Sequence, residues 1–336
     1  MYIGADLHQR FCYMTCLSEN GQVLEQRSIA NQPEALKDYV TRWPPPIELA
    51  VEASSSTPTF VNFLAPLVDR IVVAHPQRLK AIASAKLKND KVDSETLAQL
   101  LRADLLPPAW SSDPATRVLR EQVRLRSSLV QQRTRWKNQV HSTLHRWGQR
   151  PQVTDLFGKK GRAWLSELSL PPAPRQTINT QLKLIDAVDE QVADLDKQTR
   201  ELAQADFGTR ILMTIPGIGA FSALVLKAEI GDIQRFSTKR QLYSYAGLVP
   251  WVRDSADQRR RGHITRAGSP LLRWVMVEAA MNAVRSSAGA RRYFLRLAKR
   301  KPRAVARVAL ARKLLGVVWA LWSHGVCFDE QVFAAV

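Results

Sequence analysis

From residue 1 to 112, short runs of apolar residues alternate with polar positions and are punctuated by turn residues, a pattern that predicts strands with intervening helices. YIGADLH, FCYMTCLS and VLEQRSIA read as three strands, with Asn20–Gly21 as the tight turn between the second and third. PEALKDYVTRW has helical spacing and is stopped by Pro44, Pro45 and Pro46. IELAVEAS is an unbroken apolar run of the kind a sheet buries on both faces, so it is expected to lie centrally. Thr57 to Val68 reads as a helix and RIVVAHP as a fifth strand. SETLAQLLRADLL reads as a helix that ends before Pro107–Pro108. A meander followed by alternating helix and strand predicts a mixed sheet with helices against it.

Residues 113–204 change period. VLREQVRLRSSLVQQRTRWKNQVHSTLHRWG is one long helical pattern without proline. After the break LPPAPRQ, a second helix TINTQLKLIDAVDEQVADLDKQTRELAQ places Leu182, Ile185, Val188, Val192 and Leu195 at intervals of three and four, which forms one apolar face. Two such helices predict a helical hairpin or coiled-coil arm. Residues 205–336 read as a third, helical unit with a polar loop, WVRDSADQRRRGHITRAG, inside it. The fold class expected is therefore α/β plus all-α: a mixed-sheet domain at 1–112, a helical arm at 113–204 and a helical C-terminal domain at 205–336.

Charge changes this picture by adding a partner. The 49 Lys+Arg against 30 Asp+Glu leave a formal charge of +19, which calls for a polyanion. No apolar run approaches the ~20 residues of a membrane span, and MYIGADLHQRFCYM lacks the features of a secretory leader. Nucleic acid is thus expected rather than a membrane surface. Between Arg117 and Arg146 eight Lys/Arg face one acid, Glu121, too basic a helix for packing alone, so Arg133, Arg135 and Lys137 are candidate nucleic-acid contacts. Trp136 and Trp147 are candidates for stacking on bases or for the core. Cys12, Cys16 and Cys327 suit a reducing compartment, and Cys12 and Cys16 lie within one strand with no further Cys/His cluster, which predicts buried thiols.

Against this basic background four acids stand out. Asp6 follows YIGA on the first strand, Glu52 follows IELAV, and Asp90 and Asp93 project to one face if their segment is helical. Attack on a phosphodiester places negative charge on its oxygens, and two hard cations about 3.5–4 Å apart, held by carboxylates, neutralise it. The residues alone leave a second reading open. Asp90 could cap the helix with Asp93 in its first turn, and Asp6 could be an ordinary strand-end acid. Glu52 resists that reading, because an acid in an apolar strand needs a partner.

Two C-terminal segments carry further chemistry. In IPGIG, Gly217 and Gly219 would let backbone N–H groups approach a phosphate at the next helix, or would simply build a turn. In the polar loop, Ser255 is followed by Arg259, Arg260 and Arg261, with Arg266 beyond; guanidinium groups neutralise phosphoryl oxygens while a hydroxyl attacks. The other reading is a solvated serine beside a phosphate-contact patch. Ser269 is a competing hydroxyl, but it precedes Pro270 and is expected to open a helix.

IGADLH, LAVEAS and KNDKVDSETLA together resemble the four-acid D-E-D-D catalytic domain of the one-ten family of bacterial insertion-sequence transposases. The N-terminal domain of that family is similar to Holliday-junction resolvases of the RNase H-like fold. IPGIG, YAGLVP, RGHITRAG and LLRWVMVEAA look like the family's C-terminal transposase domain. The resemblance covers nearly the whole chain, and both motif sets in this order are specific. It implies an RNA-guided DNA recombinase. Asp6, Glu52, Asp90 and Asp93 would bind Mg²⁺, as two ions, with Mn²⁺ able to substitute, and Ser255 would join a 5′ phosphate covalently. The family usually has glycine after this serine; here it is Ala256. A structured non-coding RNA, the bridge or seeker RNA, would pair with target and donor DNA. The chain has no standard helix-turn-helix or zinc finger to read bases, and its basic helices suit RNA backbone and shape. A dimer pairing into a tetramer, with the arm as assembly element, and a place in the bacterial cytoplasm at the nucleoid complete the expectation. Two rivals make other predictions. A junction-resolving nuclease without a serine nucleophile would keep cleavage in Ser255→Ala, and an RNA-binding protein on a decayed nuclease scaffold would lose no activity in Asp6→Ala.

Overall fold

A computed structural model of the chain describes residues 1–82, 89–255 and 258–331, and the side chains from 253 to 261 lie outside the description. Ala256 lies outside it as well. The chain divides into two compact units, Met1–Ser112 and Asp113–Val336.

The first unit is built on a five-stranded sheet in the order β3-β2-β1-β4-β5. Strands β1 (Tyr2–Leu7), β2 (Phe11–Leu17) and β3 (Val23–Ala30) form an antiparallel meander, and Gly21, at φ 80°, turns β2 into β3. Strand β4 (Glu48–Glu52) runs parallel to β1, and β5 (Arg70–Ala74) parallel to β4. The connecting helices are α1 (Pro33–Thr41), α2 (Thr57–Leu64), α3 (Pro76–Ile82) and α4 (Asp90–Arg102).

Side chains alternate across a strand, and the burial follows that alternation. Ile3 and Ala5 of β1, with Leu49 and Val51 of β4, pack beneath α1 and α2 through Leu36, Val40, Phe60 and Leu64. Ala50 of β4 turns the other way and packs beneath α4 through Leu97 and Leu101. Strand β4 is thus buried on both faces, as its apolar run requires. Cys12 and Cys16 lie in the first of these cores, and burial pushes the Cys16 thiol up to about 11. Cys327 is exposed.

Helix α4 crosses β1 at backbone contact because Gly4 has no side chain. A methyl group there would overlap the Ser94 carbonyl oxygen and stand 2.6 Å from the Ala98 nitrogen. Polar contacts fix the crossing. The Thr15 and Ser94 hydroxyls share a buried hydrogen bond of 2.7 Å, Gln26 Nε2 donates to Glu95 at 2.9 Å, and Gln99 Nε2 donates to the Gly21 carbonyl at 3.2 Å.

The second unit opens with α5 (Pro114–Arg146), α6 (Lys159–Glu167) and α7 (Pro172–Ala205), in which α5 and α7 form the expected hairpin. Helix α7 starts at Pro172, earlier than expected, because a first-turn proline lacks only an N–H that has no helical acceptor. There follow α8 (Phe207–Met213), α9 (Ala220–Ile230), α10 (Lys239–Tyr245), β6 (Pro250–Ser255), β7 (Gln258–Ile264), α11 (Pro270–Ser286), α12 (Ala288–Ala298) and α13 (Arg303–His324). One correction arises here. The loop expected after GLVP is a two-stranded antiparallel hairpin, so the C-terminal segment is not purely helical. Residues 113–204 also share a core with the C-terminal helices: Val123 of α5, Ala203 of α7, Leu224, Val225 and Ala228 of α9 and Val275 of α11 form one cluster.

Much of the basic charge of α5 is used internally. Arg124 grips the buried carboxylate of Glu229 with two bonds of 2.9 and 3.0 Å, Arg126 pairs with Asp196 at 2.8 Å, and Arg133 pairs with Asp189. Arg133 therefore has a structural partner besides the nucleic-acid contact expected of it.

Candidate active site

Strand ends and a helix start put the acids of the first unit on one face of the sheet. Asp6 lies near the C-terminal end of β1 and Glu52 at that of β4. Val51 pairs with Ala5, so Asp6 and Glu52 each follow that pair by one residue on neighbouring parallel strands. By alternation both stand on the face that carries Gly4 and Ala50, the face α4 covers. Helix α4 begins there. Asn89 is its N-cap, its side chain accepting from the Val92 amide at 2.8 Å, so Asp90 and Asp93 are not caps and both occupy the first turn.

One atom of Asp6, one of Asp90 and one of His8 lie within 4.8 Å of one another. His8 Nε2 is 3.3 Å from Asp6 Oδ2 and 3.4 Å from Asp90 Oδ1. Burial pushes the Asp6 carboxyl above its ordinary value, His8 opposes the rise, and the charges of Asp90 and Asp93 add to it. A cation between these groups would relieve that repulsion. His8 Nε2 is itself shielded from solvent, and the groups it faces are the Asp6 and Asp90 carboxylates. The donor set thus fits a divalent cation. Asp93 is close enough to act on Asp6 but stands outside the three-atom group, as does Glu52. Glu52 is exposed, against the burial expected of it, as the last residue of β4.

In the second unit, Ser255 ends β6 and pairs in register with Gln258, while Asp254 pairs with Arg259, Arg253 with Arg260 and Val252 with Arg261. The side chains of Ser255, Arg259, Arg260 and Arg261 lie outside the described residues. The base of this hairpin is clamped by two glycines in the left-handed region. A methyl on Gly247, at φ 67°, would collide with the backbone of Ala267, and one on Gly268, at φ 72°, with the Tyr245 carbonyl. Arg273 of α11 closes the clamp by donating to the carbonyls of Ala267 at 2.6 Å and Gly268 at 3.0 Å. Arg266 sits between them, exposed, at φ 55°. Ser269 is the N-cap of α11, its hydroxyl accepting from Leu272.

The other nucleic-acid candidates separate by environment. Arg135 lines a cavity of about 870 Å³ with Arg124, Arg126, Ser269 and Trp274, whose ring is 48% exposed. Lys137 lies over the Phe157 ring at 4.8 Å, and Trp147 is exposed at the end of α5. Gly217, at φ 86°, packs against the backbone of α11 at Ala279 and Ala283, whereas a methyl on Gly219 would meet nothing within 4 Å. Gly217→Ala is therefore expected to cost more than about 2 kcal/mol in thermal unfolding. Gly219→Ala should stay within about 0.5 kcal/mol of wild type. A loss of DNA or RNA affinity in Gly219→Ala would then report backbone contact with phosphate.

A family model described as "Transposase", of the DEDD IS110 type, matches residues 3–148, and one described as "Transposase IS116/IS110/IS902 family" matches residues 209–295. The chain belongs to the IS110 family of DEDD transposases. It is 27% identical to a "Probable family 20 transposase" of Pseudomonas aeruginosa over 97% of this chain and 98% of that one. It is 23% identical, over 98% of each chain, to the transposase for insertion sequence element IS1328 of Yersinia enterocolitica. It is 26% identical to the transposase for insertion sequence element IS1111A of Coxiella burnetii, over 73% of this chain and 69% of that one. Both matched segments of this IS110-family transposase carry candidate residues. Asp6, Glu52, Asp90 and Asp93 all fall in the first matched segment and Ser255 in the second.

Sequence reasoning centred on carboxylates missed His8, although its place two residues after Asp6 put it on the same side of the strand. It also missed Gly4 and Arg273, whose partners are distant in sequence.

Proposed function

We propose that this transposase cuts and rejoins DNA by transesterification through Ser255, with Asp6, Glu52, Asp90 and Asp93 as the holders of two Mg²⁺ ions, for which Mn²⁺ would substitute. The observation that carries the reading is the convergence of Asp6 and Glu52, on adjacent strand ends, with the first turn of α4. Strand order 3-2-1-4-5 with β1, β4 and β5 parallel supports an RNase H-like N-terminal domain. When bound, the metal would supply charge neutralisation at the phosphoryl oxygens.

In the first step Ser255 Oγ bonds to the scissile phosphorus as the P–O3′ bond breaks. The serine proton goes to solvent, and the departing 3′ oxygen takes one up. In the second, a 3′ hydroxyl of another strand bonds to the same phosphorus, the P–Oγ bond breaks and the serine is regenerated. Phosphodiester bonds are conserved, so no external energy source is required. The arginines paired in register beside Ser255 supply positive charge along the hairpin for the DNA backbone.

Target and donor choice would be delegated to a structured non-coding RNA encoded beside the reading frame. The formal charge of +19 and the cavity shared by Arg135 and Trp274 support such a partner. Val118 and Leu125 on α5 and Leu184 and Leu202 on α7 are exposed apolar side chains, which supports assembly into a dimer and tetramer through the arm. No helix among the described residues is long and apolar enough to cross a membrane, and the site of action would be the nucleoid.

The test is strand exchange between duplexes bearing the element's ends and a target, with and without the flanking transcript. Exchange is expected only with the transcript, with a divalent cation and with Ser255 intact. Cleavage that persists in Ser255→Ala would favour the metal-dependent nuclease, and exchange without RNA would remove the guide.

A further inference from the structure

We infer that His8 is a direct nitrogen ligand of the divalent metal, and that it biases this site toward Mn²⁺ over Mg²⁺. The inference rests on the metal reading above and extends it by one ligand. His8 Nε2 points between the two carboxylates, 3.3 Å from Asp6 Oδ2 and 3.4 Å from Asp90 Oδ1. Adjacent donors around an octahedral ion at about 2.1 Å stand roughly 3 Å apart, and the two distances from His8 Nε2 come near that spacing, with all three atoms within 4.8 Å of one another.

The ring is held in that pose from several directions. The His8 amide donates to the Phe11 carbonyl at 2.9 Å, and the His8 carbonyl accepts from Asn31 Nδ2 at 2.9 Å. The imidazole packs on the Phe11 ring with centroids 4.6 Å apart. These contacts leave Nε2 shielded from solvent and directed at the two carboxylates. That nitrogen faces the same two carboxylates that a cation would bridge, so a metal could take it as a third donor. Asn31 is then a positioning residue, fixing the turn from which the imidazole reaches the acids.

Ligand chemistry sets the consequence. Mg²⁺ is hard, favours oxygen and keeps its waters, while Mn²⁺ accepts imidazole more readily. Replacing His8 therefore removes more from Mn²⁺ than from Mg²⁺.

The experiment uses the full-length protein loaded with Mn²⁺ and pulsed electron paramagnetic resonance, which detects nitrogen bonded to the ion. Wild type is expected to show imidazole nitrogen coupling that disappears in His8→Gln, whose fold is checked by thermal unfolding. Mn²⁺ affinity by titration should fall roughly tenfold or more in His8→Gln, and Mg²⁺ affinity by less than half that factor. In Asn31→Ala the coupling should broaden or weaken without being abolished. Mn²⁺ bound to wild type with oxygen coordination alone would overturn the role of His8 and leave the acids as ligands. Mn²⁺ that fails to bind, or binds Asp6→Asn as well as wild type, would overturn the metal site itself and His8 with it.

Discussion

Gly4→Ala is expected to abolish strand exchange although residue 4 touches neither DNA nor metal. The methyl would fall on the Ser94 carbonyl and against the Ala98 amide, both backbone groups inside α4 with no freedom to rotate away. Relief requires α4 to move off β1. That motion breaks the buried Thr15–Ser94 hydrogen bond and opens the contact of Leu97 and Leu101 with Ala50. Overpacking of this kind costs about 1–3 kcal/mol, and the lost buried hydrogen bond adds roughly 1 kcal/mol. The functional effect should exceed the loss of stability. Asp90 and Asp93 ride on the first turn of α4, while Asp6 stays on β1, so a displaced helix separates the proposed metal ligands. Thermal unfolding should show a lower midpoint for the first unit, and metal titration a weaker site even at temperatures where the variant is fully folded. Wild-type metal affinity in a folded Gly4→Ala protein would contradict this explanation of how the acids are brought together.

The largest effect is expected at the nucleophile. Ser255→Ala removes the atom that would form the covalent link, and losses for a deleted nucleophile are on the order of 10⁴-fold or more. Asp6→Asn should match it within about tenfold, because both groups would act in one step and residues that act as a unit are not additive. The double variant should therefore be no slower than the worse single one. The two variants differ in a second readout. Ser255→Ala should bind Mn²⁺ normally, while Asp6→Asn should not. Independent losses that multiply in the double variant would mean that hydroxyl and metal serve separate reactions.

The sheet was legible because its strands carry plain signals: alternation in β1 and β2, an Asn–Gly turn, and an apolar run in β4 that only a doubly covered strand accommodates. The acids stood out because Glu52 ends an apolar strand and because the segments that carry them resemble a four-acid family pattern, while Asp6 and Asp90 alone had ordinary readings. The β6–β7 hairpin was not legible, since Arg253, Arg259, Arg260 and Arg261 replace the apolar alternation by which strands are recognised. The structural role of the α5 arginines was equally hidden. Arg124, Arg126 and Arg133 find their acids 105, 70 and 56 residues away, and a local reading sees only an unbalanced basic helix. Glu52 was expected to be buried from the apolar strand it ends, but as the last residue of β4 it is exposed. His8 escaped notice because a lone histidine near a strand end is usually unremarkable; only the approach of Asp90 from α4 gives it a role.

The central claim, that the hydroxyl of Ser255 takes a DNA phosphate in a reaction that depends on the acids of the first unit, has a direct measurement. Wild-type protein is incubated with guide transcript, Mg²⁺ and a duplex labelled at the 3′ end of the strand to be captured. The products are then denatured and digested, and the labelled peptide is identified by mass spectrometry. The expected product is a nucleotide joined through its 5′ phosphate to Ser255, absent in Asp6→Asn and in Ser255→Ala. A link on another residue, or a link to Ser255 that forms as well in Asp6→Asn, would contradict the claim.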